Sequence, residues 1–405
     1  TGTYPSKNGH GLCPGKFPTI MEILRAHGYN TFGVTDNFFV EHLCKGFHEF
    51  VYLTRSSVAK MWSKDLKAVI EFLHFVLGQK SILNIRGLAT SFLKNNLAKK
   101  WLDKNCVRGP FFILVHYSAH WPYEPPEPFF SRFLDCSLKR ELRSVRRDVY
   151  DLISGQDLGK KMEVLKSLYD AQIAYLDTCV KDLIDHLKSL DMFENTLLII
   201  TSDHGDLLGE HGLLHHEFVL YEPLIKVPFI IRFPDLFRKG EKYSGLVQTL
   251  DILPTLDDYL GIEWTDVSRE IQGKSLLKLI ENKEEREFTI SERSDWSPAT
   301  SIGKIAHLEK RYPSFEWRKY AHEIVALRTD EYKYIWSSEG RDELYDLRYD
   351  PQESNNLVLI DKGKVSELGA KMEAWKRSFV RAEPSAERRD LKSSVKKRLK
   401  ALGYI

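Results

Sequence analysis

Asp203 and His204 stand side by side in the run SDHGDLLGEHGLLHHE, and His211, His215 and His216 follow, so four histidines fall within thirteen residues. A carboxylate is a hard oxygen donor and an imidazole a borderline one. The pair can hold a divalent cation if further carboxylates join from elsewhere in the chain. The other histidines are neutral or cationic donors, which suits a tetrahedral oxyanion such as sulfate or phosphate beside that cation. Gly205, Gly209 and Gly212 let the backbone turn tightly and approach a ligand closely. A helix cap on a solvated loop would account for Ser202 and Asp203 alone, but a cap has no use for four histidines.

These residues need elements to position them. Thr196–Ile200 is short, apolar on consecutive positions and partly β-branched, the pattern of a strand covered on both faces. Its polar sequel lies at its carboxyl end, where open α/β sheets bind their ligands. FFILVHY, 111–117, is a second such strand, and His120 follows it in SAHWPYEPP, the same kind of place as Asp203. Thr31–Val34 is a third, brief strand that leaves Asp36 and Asn37 at its end. Apolar residues at helical spacing predict helices over Pro18–Gly28, Val164–Leu190 and Leu250–Leu260, and VPFIIRFP predicts a strand over 227–234. Residues 56–105 are helical and Lys-rich, and 131–161 are charged and irregular.

The expected fold is α/β, a mostly parallel central sheet sandwiched by helices, with the strands at 111–117 and 196–201 near its centre. From about Glu284 the texture changes. EIVALRTDEYKYIWSS alternates like an antiparallel pair turning at DEY, and Lys362–Arg381 reads as a helix. The organisation expected is therefore a 1–283 α/β domain, with a helical insertion at 56–105, and a smaller 284–405 α+β subdomain ending in a basic tail.

Among 405 residues, 42% are hydrophobic and 29% charged, the balance of a globular protein with room for a large core. A net charge of +2 gives no electrostatic footprint for nucleic acid, and no apolar run reaches the roughly 18 residues of a membrane span. The five cysteines are scattered and unpaired in pattern, which favours buried thiols in a reducing, cytoplasmic setting. No convincing nucleophile is visible, since Ser6 and Cys13 lie in an irregular Gly- and Pro-rich stretch without a base partner.

The string from YDAQIAYLDTCVKDL through TLLIITSDHGDLLGEHG, with LYEPLIKVPFIIRFP and LVQTLDILPTL, resembles the sulfatase family of the alkaline phosphatase superfamily. GPFFILVHYSAHWPYEPP, LRTDEYKYI, ELYDLRYDPQESNNL and LKALGYI extend the likeness over most of the chain. The resemblance implies an alkaline-phosphatase-like fold and a sulfuric ester hydrolase acting on a small-molecule or carbohydrate sulfate ester. It implies that Asp203 and His204 are a metal-ligand pair, for calcium by family habit and for manganese or magnesium as compatible alternatives. His120 matches the histidine at the sulfate or leaving-group oxygen, and His216 the place of a Lys or His that reaches the sulfate. Asn37 falls where relatives contact the anion, His211 would orient the site, and His215 is an alternative to His216.

The family's nucleophile is a formylglycine made from Cys or Ser in a C/S-x-P-x-R motif by a formylglycine-generating enzyme, and a strand before it supplies two acidic metal ligands. TGTYPSKNGHG resembles the segment directly after that motif, so nucleophile and acidic pair are expected upstream of Thr1. The implied mechanism is attack of the hydrated aldehyde on sulfur, with His120 or His216 protonating the leaving oxygen. The chain by itself is then expected to bind a cation weakly and to be inactive. Two rivals remain open at this point: a phosphonate or phosphate-ester hydrolase of the same superfamily, and a non-catalytic fragment. The aromatic residues Trp121, Tyr123, Trp296 and Trp317 are candidates for stacking on a sugar or aryl ring, with simple packing favoured over that role.

Overall fold

A computed structural model describes residues 19–37, 44–53, 85–105, 109–138, 145, 159–216, 218–234, 236–237, 240–262, 271–293, 309–313 and 316–379. The chain forms two compact units, one from Thr19–Leu198 with Arg232–Leu236, the other from Ile199–Ile231 with the described residues from Phe237 on. Trp296 and the basic tail lie outside the described residues.

The first unit contains α1 (Ile20–Ala26), β1 (Asn30–Thr35), β2 (Glu49–Tyr52), α2 (Ile85–Asn105), β3 (Phe111–Val115), α3 (Phe129–Phe133) and α4 (Gly159–Ser189). A capping box starts α1: the Thr19 hydroxyl accepts from the Glu22 amide at 3.2 Å while the Glu22 carboxylate accepts from the Thr19 amide at 2.8 Å. β1 runs parallel to both neighbours, β2 on one side and β3 on the other, so the three carboxyl ends lie on one edge. α2 packs on β1 through Leu93, Ala98 and Trp101, which share a core with Phe32 and Val34, and the Trp101 ring stacks on Phe32. The 31-residue helix α4 buries Val164, Leu168, Ala171, Tyr175 and Cys179, the three-and-four spacing that lines one helix face.

The second unit carries β4 (Leu198–Thr201), β5 (Leu207–Leu208), β6 (Leu214–His215), α5 (Glu222–Ile225), β7 (Phe229–Arg232), α6 (Ile252–Leu260), α7 (Leu276–Ile280), β8 (Thr289–Arg293), β9 (Ile324–Arg328), β10 (Tyr332–Ser337), β11 (Glu343–Asp346) and α8 (Lys362–Arg377). Strands β11-β10-β9-β8 form an antiparallel sheet in that order. Period-two alternation divides β9 between two cores. Val325 and Leu327 meet Leu368, Met372 and Trp375 of α8, while Ile324 and Ala326 meet Leu220, Ile335 and Tyr345.

Helices, parallel pairing and the hairpin of β9 and β10 follow the expectation, but the sheet order differs from it. Among the described residues β3 is an edge strand of the three-stranded sheet, and β4 pairs with β7 alone in a separate two-stranded sheet. Nor is either strand covered on both faces: no residue of β3 or β4 is fully buried, and Leu114 and Thr201 are exposed. An apolar run carries no information on backbone neighbours, because the hydrogen bonds that set strand order are made by groups every residue shares.

Candidate functional site

β4 ends at Thr201, and Ser202–Asp206 follow before β5 begins. β5 and β6 form a short antiparallel hairpin in which Leu207 faces His215 and Leu208 faces Leu214. The chain turns through Gly209 at φ 110°, His211 at φ 55° and Gly212 at φ 69°, left-handed conformations in which glycine is least strained. Continuing the ladder outward by one pair sets Asp206 against His216, and the side chains meet there, with the His216 Nδ1 3.4 Å from Asp206 Oδ1. The Asp206 side chain is only 4% exposed, so this carboxylate serves the interior of the site.

The same return of the chain brings His216 onto His204, their rings stacked with centroids 4.1 Å apart and planes at 20°. His215 stands edge-on to His216 at 5.9 Å. The His204 Nδ1 lies 2.8 Å from the Gly205 carbonyl oxygen, which can only accept, so Nδ1 carries the proton and Nε2 presents the lone pair. That Nε2 is 3.9 Å from Oδ1 of Asp203, whose side chain is 77% exposed. An ion with bonds of roughly 2.0–2.5 Å to nitrogen and oxygen spans such a gap, so Asp203 and His204 fit a shared divalent cation. Ligand atoms of His204, Asp206 and His216 also lie within 4.8 Å of one another. Parallel stacked imidazoles direct their lone pairs side by side in two planes, so that set could share an ion only after one ring turned. Asp206 thus lies against His216, and Asp203 against His204.

His211 takes a different place. Its ring stacks on Tyr221 at 3.8 Å, and the Tyr221 hydroxyl donates to Glu343 Oε2 at 3.0 Å. Burial pushes the His211 imidazole below its ordinary pKa, only partly opposed by Glu343, which favours the neutral ring.

Asn37 and His120 belong to the first unit, each just beyond the carboxyl end of a strand in its parallel sheet. The Asn37 amide donates to Thr35 Oγ1 at 3.0 Å. The loop bearing His120 is held down on both helices: the Tyr117 hydroxyl bonds Asn95 of α2, and Gln172 of α4 donates to the Ser118 carbonyl at 3.2 Å. His120 Nδ1 sits 2.6 Å from the Trp121 carbonyl oxygen.

Sequence reasoning passed over Asp206, and also a charged group beside Asn37. Lys94 of α2 is fully buried and its Nζ lies 2.6 Å from Asp36 Oδ1, with His116 Nδ1 3.8 Å away. Burial alone would raise the Asp36 pKa, but the His116 and Lys94 interactions outweigh it and hold the carboxyl well below its usual range. Neither carries a signal in residue type: Asp206 meets His216 only through the register of the hairpin, and Lys94 is masked by its Lys-rich surroundings. Tyr123 and Trp317 are 3% and 0% exposed, packed on Tyr169 and Tyr312 respectively, so both are core residues and neither offers a face to a sugar. No helix among the described residues is long and apolar enough to cross a membrane.

Residues 1–262 match the family described as Sulfatase. The N-acetylglucosamine-6-O-sulfatase of Bacteroides thetaiotaomicron is 30% identical over 191 residues, covering 47% of this chain and 31% of that protein. Arylsulfatase K of Gallus gallus is 25% identical over 388 residues, covering 87% of this chain and 66% of that protein. The chain thus spans between 31% and 66% of the length of these two curated relatives. The crystal structure of the phosphonate monoester hydrolase of Agrobacterium radiobacter superimposes with a TM-score of 0.66 at 19% identity, over 93% of this chain and 84% of that one. That likeness establishes an α/β fold of the alkaline-phosphatase-like kind.

Proposed function

Because this chain belongs to the sulfatase family, we propose that the full protein hydrolyses a sulfate ester, with the sulfate carried on a sugar. The observation that carries the reading is the placement of Asp203 beside His204, with the His204 tautomer fixed by Gly205 and His216 stacked against the same ring. The sugar is suggested by the relative that acts on an N-acetylglucosamine 6-sulfate.

Sulfatases use a divalent metal, and Asp203 and His204 would hold it here; calcium is our assignment. When bound, the ion draws negative charge from the ester oxygens. The chain's own residues bind the ester and handle its protons. His216, restrained by Asp206, donates to an ester oxygen, and its position against His204 keeps that donor directed at one place. His120 is assigned the proton for the leaving oxygen, on the family resemblance. His211 is a positioning residue, buried against Tyr221 and favouring its neutral form. The nucleophile is assigned to a formylglycine, introduced by a formylglycine-generating enzyme.

One observation favours a second reading, that the substrate is a phosphonate or phosphate monoester: the fold likeness to a phosphonate monoester hydrolase. Turnover of matched aryl sulfate, aryl phosphate and phenylphosphonate esters by the full-length protein decides between them. A preference for the sulfate by tenfold or more supports the first reading, and the reverse preference replaces it with the second.

A further inference from the structure

Three charged side chains are buried together where the antiparallel sheet meets the segment after the His-rich hairpin. Lys333 on β10 and Glu353 both have fully buried side chains and form an ion pair. Lys333 Nζ also lies 3.2 Å from Glu222 Oε1, and Arg328 on β9 approaches the same oxygen at 3.4 Å. Glu222 is the first residue of α5, and its backbone amide donates to Glu353 Oε2 at 2.7 Å. Glu353 reaches it from a left-handed backbone position, φ 56°, an uncommon conformation for a residue without a short polar side chain. Burying three charges is costly, and such a group is a poor source of stability compared with apolar packing. Its consequence here is directional: it fixes where α5 begins.

α5 in turn touches the site. The Gly205 amide donates to the Leu224 carbonyl at 2.8 Å. The backbone of 223–224 is so close to Gly205 that a Cβ there would lie 2.0 Å from the Pro223 carbonyl oxygen. Gly205 is the residue after His204, and its own carbonyl sets the His204 tautomer. One residue before α5, Tyr221 carries His211 on its ring and bonds Glu343 of β11, which also accepts from Tyr345 at 2.5 Å. Two separate anchors of one short segment thus end on the sheet, one charged and one phenolic, and the segment's other side bears on His204 and His211.

We propose that Lys333, with Glu353 and Glu222, is a positioning group for the metal and anion loop, holding residues 221–225 as a shelf that fixes Gly205 and the direction of His204. The proposal rests on the reading of that loop as the reactive site of a sulfate ester hydrolase. Lys333 touches no reacting atom; it acts through the shelf.

The test separates positioning from folding. Lys333→Met alone leaves two carboxylates buried without their cation and is expected to destabilise the protein severely. The informative variant is Lys333→Met with Glu222→Gln and Glu353→Gln, which removes the charges together and keeps an amide oxygen able to accept from residue 222. Lys371→Met, at an exposed pair with Glu287, serves as a surface control. In the full-length protein, hydrogen exchange of the peptide 203–216, calcium affinity and aryl-ester kcat and KM are compared at matched thermal stability. The expected result for the triple variant is faster exchange confined to 203–216 and a loss of roughly 10-fold or more in calcium affinity, the usual effect of removing an outer partner of a metal ligand. A triple variant that folds and shows wild-type exchange and calcium affinity overturns the proposal. If the wild-type protein hydrolyses no sulfate ester while the triple variant still loosens 203–216, the functional reading fails and the positioning role stands.

Discussion

Gly205→Ala is the smallest change that tests the contact on which the site's geometry depends. A Cβ at this position would lie 2.0 Å from the Pro223 oxygen and 3.1 Å from its carbonyl carbon, whereas real Cβ atoms essentially never come closer than 3.0 Å. The two backbones must therefore part by about 1 Å, and neither is the loose end of a side chain that could swing away. Parting them breaks the 2.8 Å bond from the Gly205 amide to the Leu224 carbonyl, a net loss of about 0.5–1.5 kcal/mol. Overpacking adds about 1–3 kcal/mol, and the reduced freedom of alanine in the unfolded chain offsets about 0.4–1 kcal/mol. These terms sum to a destabilisation of about 0.5–4 kcal/mol, and their midpoint of about 2 kcal/mol lowers Tm by roughly 4–8 °C for a unit of this size. Scanning calorimetry measures it, and a calcium titration on the same samples should show affinity reduced by roughly 10-fold. A variant that melts with the wild type and binds calcium equally well would refute the close approach of α5 to Gly205, and with it the argument that the shelf directs His204.

Three further outcomes are expected at other contacts. Asp206→Ala removes the buried carboxylate 3.4 Å from His216 Nδ1 and should lower aryl-ester kcat by roughly 10–100-fold; kinetics equal to those of the wild type would remove Asp206 from the site. Asp36→Asn leaves the fully buried Lys94 without its carboxylate and should cost about 3–5 kcal/mol in urea unfolding at neutral pH. The folded Asp36 pKa is depressed, so its contribution is complete above the unfolded value near 3.8 and fades as pH falls below about 4, and the acid limb of the wild-type stability curve should flatten in Asp36→Asn. Trp317→Ala should cost about 3–5 kcal/mol of stability while leaving KM unchanged, since the indole is wholly buried; a raised KM in a stable Trp317→Ala protein would return it to the substrate side.

The elements read most easily in the sequence are those whose side chains repeat with one period. β9 and β10 alternate on either side of the Asp330–Glu331 turn, and α4 is legible as a helix, but its buried face is not: Ile173, Leu176 and Val180 suggest one apolar stripe, whereas Ala171, Tyr175 and Cys179 are buried and Ile173 is 44% exposed. Asp203, His204 and His216 stand out because a strand end with a dense polar cluster is a rare pattern, and the structure brings the three side chains close together. Asp206 was not, because its role arises from a register: Leu207 opposite His215 makes Asp206 the partner of His216, and nothing in residue type alone fixes that pairing. Lys94 was hidden for a related reason. A lysine in a helix rich in lysines reads as solvated, and only the packing of α2 on β1 brings it beneath Asp36. Lys333 and Glu353 follow Glu222 by 111 and 131 residues, so their meeting with it is a property of the fold rather than of any local pattern.

We propose that the loop from Asp203 to His216 supports cleavage of a sulfate ester. The most direct test is steady-state turnover of an aryl sulfate by calcium-loaded full-length protein, produced with a formylglycine-generating enzyme, in the wild type and in Asp203→Ala and His204→Ala variants shown to be folded by calorimetry. The wild type should turn the ester over, and each variant should lose on the order of 100-fold or more, as expected for removing a metal ligand. Turnover that persists in both variants, or a folded, calcium-loaded wild type that cleaves phenylphosphonate esters and no sulfate, would contradict it.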